Sequence, residues 1–158
     1  MASCVTVEKD NGKLTDNHML SPLKLAYVGD AVYEVFVRSM LAFNINGSVH
    51  KLHMDATRHV RCDSQADVIH NIFNELSELE KNVVKRGRNA HSGYVPKNAD
   101  VADYRYATGF EALLGYLFIH GEFERLSYLL NLAAKRVAGR DIDARPGARS
   151  TTSTVDAE

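Results

Sequence analysis

An all-α domain of about six helices is what this 158-residue sequence predicts, on three observations. Apolar residues recur at steps of three and four between residues 21 and 138, the repeat of helices with one face on a core. Helix start signals and glycine or asparagine stops punctuate that pattern at intervals. No alternating apolar and polar run, and no hairpin turn, offers a strand. With 45% hydrophobic residues the chain can bury a real core, which excludes wholesale disorder, and its length is that of one domain.

The elements follow in order. Residues 1–18 are polar and without periodicity, and read as a flexible tail ahead of a domain spanning 19–139. Ser21-Pro22 is an N-cap followed by proline at the first helical position, opening a helix that carries Leu23, Leu25, Ala26, Val28, Val32, Val35, Phe36 and Met40 to about residue 43. Asn44 to Ser48 is a turn. Val49 to about Arg61 and Ser64 to about Leu76 form two shorter helices, broken near Asp63-Ser64. Ser77 with Glu80 is a capping box, and the helix it opens carries Leu79, Val83 and Val84. Gly87 to Lys97 (GRNAHSGYVPK) reads as a long loop, and long loops in compact domains tend to be functional. A strongly apolar helix runs from about Asn98 to Ile119 and stops at Gly121. The last helix sets Phe123, Leu126, Leu130, Ala133 and Val137 on one stripe, with Gly139 closing it. Residues 140–158 have almost nothing to bury and read as a disordered tail.

Two acids stand out against this pattern. Asp30 lies inside the first apolar helix, after Gly29, on a face shared with Leu23, Ala26, Tyr27, Tyr33, Glu34 and Val37. Glu111 repeats the arrangement in the second apolar helix, beside Tyr104, Ala107, Thr108, Leu114, Gly115 and Phe118. Each acid has an alanine four positions earlier (Ala26, Ala107) and glycines nearby that permit close backbone approach. Packed together, the two helices would bring Asp30 and Glu111 into one pocket, with no Lys or Arg at helical spacing to neutralise them. Two desolvated carboxylates without a cation point to a hard divalent ion, Mg²⁺ or Mn²⁺. Either acid alone would be read as a surface residue at a helix rim. Breaking local propensity twice in matching contexts favours a site.

Charge is unevenly placed within a net of −1. Residues 1–80 hold 7 basic and 11 acidic side chains, a balance of −4, and residues 106–158 hold 6 and 7, a balance of −1. Residues 81–105 hold 6 basic side chains (Lys81, Lys85, Arg86, Arg88, Lys97 and Arg105) against Asp100 and Asp103, a balance of +4. A cationic loop beside a carboxylate pocket suits phosphodiester chemistry, with the loop on backbone phosphates and a metal at the reacting one. Part of the patch is also what a helix C-terminus attracts.

Other classes are set aside. The first residues lack an apolar signal region and no apolar run reaches the ~20 residues of a membrane span, so a soluble, cytoplasmic protein is expected. Two cysteines, Cys4 and Cys62, are too few for a disulfide scaffold. His50, His53, His59 and Cys62 resemble a zinc site in composition, but one helix cannot close a tetrahedron around them.

The same residues carry a family resemblance. Leu25-Ala26-Tyr27-Val28-Gly29-Asp30-Ala31-Val32-Tyr33-Glu34 resembles the signature helix of the ribonuclease III domain, and Phe110-Glu111-Ala112-Leu113-Leu114-Gly115 its second acidic motif. The closer resemblance is to Mini-ribonuclease III, the bacterial subgroup without a double-stranded-RNA-binding domain. It is carried by Lys85-Arg86-Gly87-Arg88-Asn89-Ala90, Pro96-Lys97-Asn98 and Tyr104-Arg105-Tyr106-Ala107-Thr108-Gly109-Phe110-Glu111, across about residues 20–138. The resemblance implies a helical homodimer joined through its signature helices, with a groove for double-stranded RNA. It further implies Mg²⁺-dependent cleavage leaving 5′-phosphate ends, and a part in maturing precursor 23S ribosomal RNA. Asp30 matches the signature aspartate and Glu111 the second-motif glutamate. Where larger relatives have further acids, this chain has Ala26 and Thr108, which implies a metal shell completed by water or RNA phosphate.

The expected function is a Mg²⁺-dependent endoribonuclease with Asp30 and Glu111 as catalytic metal ligands. Lys85, Arg86, Arg88, Lys97 and Arg105 are the expected RNA contacts, and no membrane or small-molecule cofactor is expected. Glu34, one turn past Asp30, either supports the metal site from behind its ligands or, as is expected, forms a salt bridge at the solvent or dimer surface. The alternatives are a non-catalytic RNA-binding protein on the same scaffold, which gains nothing from buried acids, and a helical interaction module, which leaves the basic loop unexplained.

Overall fold

The computed structural model describes residues 20–90 and 100–143. They form six α-helices: α1 (Pro22–Asn44), α2 (Val49–His59), α3 (Cys62–Ile72), α4 (Glu78–Arg88), α5 (Val101–His120) and α6 (Phe123–Asp143), with a 3₁₀ turn at Phe73–Glu75. Among the described residues there is no strand. Most of the loop expected over 87–97, including Pro96 and Lys97, lies outside the described residues, as do 1–19 and 144–158.

Local signals set most boundaries. The Ser21 side chain accepts from the Lys24 amide, and Pro22 begins α1. The Ser77–Glu80 capping box forms in both directions, with the Ser77 amide donating to Glu80 Oε2 at 2.7 Å and the Glu80 amide to Ser77 Oγ at 3.3 Å. Gly121 closes α5 at φ 75°, in the left-handed region that glycine enters without strain.

Four boundaries differ from the sequence reading. The break between α2 and α3 falls at Val60-Arg61, ahead of Asp63-Ser64, so that Asp63 sits in the first turn of α3, where its charge suits the helix dipole. Helix α5 begins at Val101 and not near Asn98, because Asp100 is its cap and accepts from the Ala102 and Asp103 amides at 2.8 and 3.1 Å. Gly87 lies inside α4, which runs on to Arg88. Helix α6 continues through Gly139 to Asp143, four residues into the segment assigned to the tail. A lone glycine costs a helix only about 1 kcal/mol, and the sequence holds no proline between Gly139 and Pro146.

Helix α5 is the hub. It buries Ala107, Thr108, Gly109, Phe110, Ala112, Leu113, Leu114, Gly115 and Leu117, nearly all the way round its axis. Glycines set its two closest crossings. A Cβ on Gly29 would stand 1.7 Å from the Glu111 carbonyl oxygen, and one on Gly115 would stand 2.0 Å from the Leu25 carbonyl oxygen. The backbones of α1 and α5 therefore touch at Gly29 and Gly115. On the other side, a Cβ on Gly87 would lie 2.8 Å from Ala112 Cβ, and one on Gly109 2.8 Å from the Val84 carbonyl oxygen. Gly87 serves this α4–α5 crossing and does not break the helix.

Below the crossings, Tyr33 of α1 meets Phe110 edge-on at 5.1 Å, and Val37, Ile69, Leu113, Leu114 and Leu129 complete the core. Each such fully buried side chain contributes about 1.5–3 kcal/mol relative to exposure. Helix α6 is tied to α4 by Arg125, which donates to both Glu80 carboxylate oxygens at 2.8 Å and to the Glu75 carbonyl at 2.6 Å. The capping glutamate thus also anchors a helix 45 residues away.

Candidate active site

The α1–α5 crossing decides where the two acids lie. Gly29 rests on the backbone of Glu111, so the next residue of α1, Asp30, opens beside the Glu111 side chain. Asp30 is exposed at the rim and Glu111 is half-buried. The face of α1 that turns inward is Leu25, Ala26, Gly29, Tyr33, Val37 and Leu41, while Tyr27, expected to share the face of Asp30, points outward and is 82% exposed.

The electrostatics mark the two acids as a pair. Burial, and then the charge of Asp30, push the Glu111 carboxyl up to about 8, and a hydrogen bond from Gln65 only partly opposes them. Burial also raises Asp30, with Glu34 as the second cause. Glu111 keeps its proton until about pH 8, so Asp30 titrates beside a neutral neighbour and feels Glu34 instead. Among the described residues no ion pair involves Asp30 or Glu111, whereas Glu34 pairs with Arg38 as expected.

Helix α3 supplies the third wall. Gln65 is 1% exposed; its Nε2 donates to the Val60 carbonyl at 3.0 Å and its amide also bonds Glu111. Gln65 Oε1 is buried and has no partner among the described residues. Cys62, one turn earlier, faces the same pocket: burial and then the Glu111 charge raise its thiol. Gln65 escaped the sequence reading, although a glutamine in register with Ile69 and Ile72 on the buried face of α3 is a legible signal of a tied polar group.

The positions where acids might have been added are closed. Ala26 is buried, and Thr108 is buried with its hydroxyl donating to the Tyr104 carbonyl at 2.9 Å. Among the described residues no group of three His, Cys, Asp or Glu side chains converges. The chain presents two carboxylates and an orphaned amide oxygen, all hard oxygen donors.

The predicted basic residues divide. Lys85, Arg86 and Arg88 lie in the last turn of α4, with Lys85 and Arg86 exposed. Arg88 is half-buried, donating to the Tyr106 hydroxyl at 3.2 Å with its guanidinium 5.3 Å from that ring. Arg105 is exposed on α5, and Lys97 lies outside the described residues.

A helical fold whose glycine crossing pairs two unneutralised carboxylates defines the class of protein, and comparison agrees. Residues 23–122 match the family described as the ribonuclease III domain. The chain is 48% identical over 116 residues to Mini-ribonuclease 3 of Thermoanaerobacter sp. (strain X514), covering 73% of this chain and 82% of that protein. It is 48% identical over 122 residues to Mini-ribonuclease 3 of Symbiobacterium thermophilum, covering 77% and 94%. A crystal structure of a Fusobacterium nucleatum protein superposes with a TM-score of 0.68 at 27% identity, covering 76% of this chain and 96% of that one. The chain belongs to the ribonuclease III domain family, among the Mini-ribonuclease 3 proteins, and is an endoribonuclease.

Proposed function

We propose that this endoribonuclease cleaves double-stranded RNA with Mg²⁺, for which Mn²⁺ can substitute, held by Asp30 and Glu111. The observation that carries the reading is the paired carboxylates at the α1–α5 crossing, one of them lifted to about 8 by burial and by the charge of the other. Two hard oxygen donors without a basic partner fit a divalent ion that keeps several waters or takes phosphate oxygens as its other ligands. When bound, such an ion supplies a nucleophile from water near neutral pH and stabilises the charge on the leaving oxygen.

The protein's own part is placement. Gly29 and Gly115 fix the helix separation, Gln65 orients the Glu111 carboxylate, and Lys85, Arg86, Arg88, Arg105 and Lys97 hold backbone phosphates. A-form RNA offers a wide minor groove with exposed 2′-hydroxyls, so shape can be read with little contact to bases. The resemblance to the family supports a homodimer joined through α1, where Tyr27, Val35 and Phe43 are 82%, 65% and 91% exposed. It also supports a cytoplasmic role on the ends of precursor 23S ribosomal RNA. Among the described residues no helix is long and apolar enough to cross a membrane.

The test is incubation of the purified protein with duplex RNA in Mg²⁺, in Mn²⁺ and in EDTA, with end-group analysis of the products. Cleavage with either metal but not in EDTA, leaving 5′-phosphates, is expected; cleavage undiminished in EDTA refutes the metal role.

A further inference from the structure

Beside the α3–α4 seam lies a recess of about 410 Å³ lined by His70, Phe73, Asn74, Val84, Lys85, Arg88 and Tyr106. Its volume is within the ~300–1,000 Å³ of small-ligand sites and exceeds what a bare phosphate fills. One wall is cationic. Lys81, Lys85 and Arg88 lie on one stripe of α4, where like charges at this spacing cost the helix stability. Lys81 is paired with Glu78 at 2.9 Å, but no described ion pair includes Lys85 or Arg88.

The other wall is aromatic and already ordered. The rings of His70 and Tyr106 stand 4.1 Å apart, and the Tyr106 hydroxyl accepts from Arg88. Lys81 stands 6.0 Å from the Phe73 ring centroid. A phosphate would use the cations and leave Phe73, Val84 and Tyr106 idle, and an apolar group would leave the cations unpaired. A nucleotide uses both, since its phosphate suits Lys85 and Arg88 and its base has a π-face for an aromatic wall.

We propose that this recess binds one nucleoside monophosphate unit, with the phosphate on Lys85 and Arg88, the base against Phe73 and His70, and the Asn74 amide at the base edge. This goes beyond the proposed cleavage and does not depend on it. Tyr106 precedes Glu111 by five residues, about 7–8 Å along α5 and roughly 140° around it, so the recess is a site separate from the acid pair. The unit comes either from an unpaired residue in RNA or from a free nucleotide.

The test uses the full-length, isotope-labelled protein in EDTA, titrated with UMP, AMP, uridine and inorganic phosphate while NMR shifts are followed. UMP and AMP are expected to move residues around 70–74, 84–88 and 106, binding roughly tenfold tighter than uridine or phosphate. Replacing Lys85 and Arg88 together by Ala should weaken UMP about tenfold or more. Phe73→Leu should weaken UMP but not phosphate, and the spectrum of each variant reports whether it is folded. A duplex with one unpaired uridine, compared with a fully paired one, separates the sources. Tighter binding of the first, competed by UMP, identifies an RNA-borne nucleotide, whereas equal binding of both with UMP still seated identifies a free one. No shift in the recess at about 10 mM UMP, UMP binding no tighter than phosphate, or UMP binding indifferent to the Lys85 and Arg88 replacements, overturns the proposal.

Discussion

Replacing Glu111 by Gln in metal-free protein should make the fold more stable in alkaline buffer while removing catalysis. The native carboxyl titrates at about 8 against an ordinary 4.5, so between those values the folded state holds a proton that the unfolded state has released. Stability therefore falls as pH rises from about 4.5 through about 8, and levels off above that. At about 1.4 kcal/mol per pKa unit the full displacement corresponds to roughly 5 kcal/mol, an upper bound for a half-buried group that water can reach on local opening. A loss of about 2–3 kcal/mol, or roughly 5–10 °C in Tm, is the working expectation. Asp30, also raised, adds to the loss in the same direction. The assay is thermal unfolding in EDTA from pH 5 to 9 for the parent and Glu111→Gln. The variant should lose much less stability across this range and overtake the parent above pH 8, and Mg²⁺ should recover stability in the parent alone. Parallel pH profiles for the two proteins would refute the reasoning.

Other outcomes follow from the same geometry. Gly29→Ala places a methyl group against the Glu111 carbonyl, a backbone atom that only helix separation can relieve, so a loss of about 3 kcal/mol or more is expected by denaturant unfolding. Arg125→Met leaves the buried Glu80 carboxylate without its cation and should cost about 3 kcal/mol at pH 7. Glu80 is held below its ordinary range chiefly by the Arg125 hydrogen bond, so that cost should vanish as acid titrates the carboxylate; a cost unchanged at low pH would discount the pair. Gln65→Met keeps the bulk but loses the bond to Glu111, and Mn²⁺ affinity by EPR should fall about 10–100-fold with the fold intact. Neutralising Arg86 and Arg88 should weaken duplex RNA binding and flatten its salt dependence by about one unit per lost phosphate contact, and an unaltered slope removes them from the RNA surface.

The parts of the fold that local chemistry dictates were legible in the sequence. Ser21-Pro22 and Ser77–Glu80 satisfy orphan amides with side chains a few residues away, and Gly121 supplies the left-handed residue that ends α5. The pairing of Asp30 with Glu111 was readable because glycines beside two misplaced acids imply a close crossing. Gly87 reads as a loop residue because a glycine's local cost is visible in sequence but the helix packed against it is not, whereas Gly139 reads as a stop although α6 runs on through it. The Glu80–Arg125 bond spans 45 residues and leaves no periodic trace, and the register of Gln65 with Ile69 and Ile72 betrays its burial but not its partner Glu111 on another helix.

The central claim is that Asp30 and Glu111 together carry metal-dependent cleavage of duplex RNA. Its most direct measurement is cleavage by Asp30→Asn in Mg²⁺, with the oligomeric state of the same sample read by light scattering. Asp30 is exposed and makes no described ion pair, so the substitution leaves the core untouched. A folded dimer that no longer cuts the duplex is expected; a variant that cuts it at the parental rate would refute a catalytic role for Asp30.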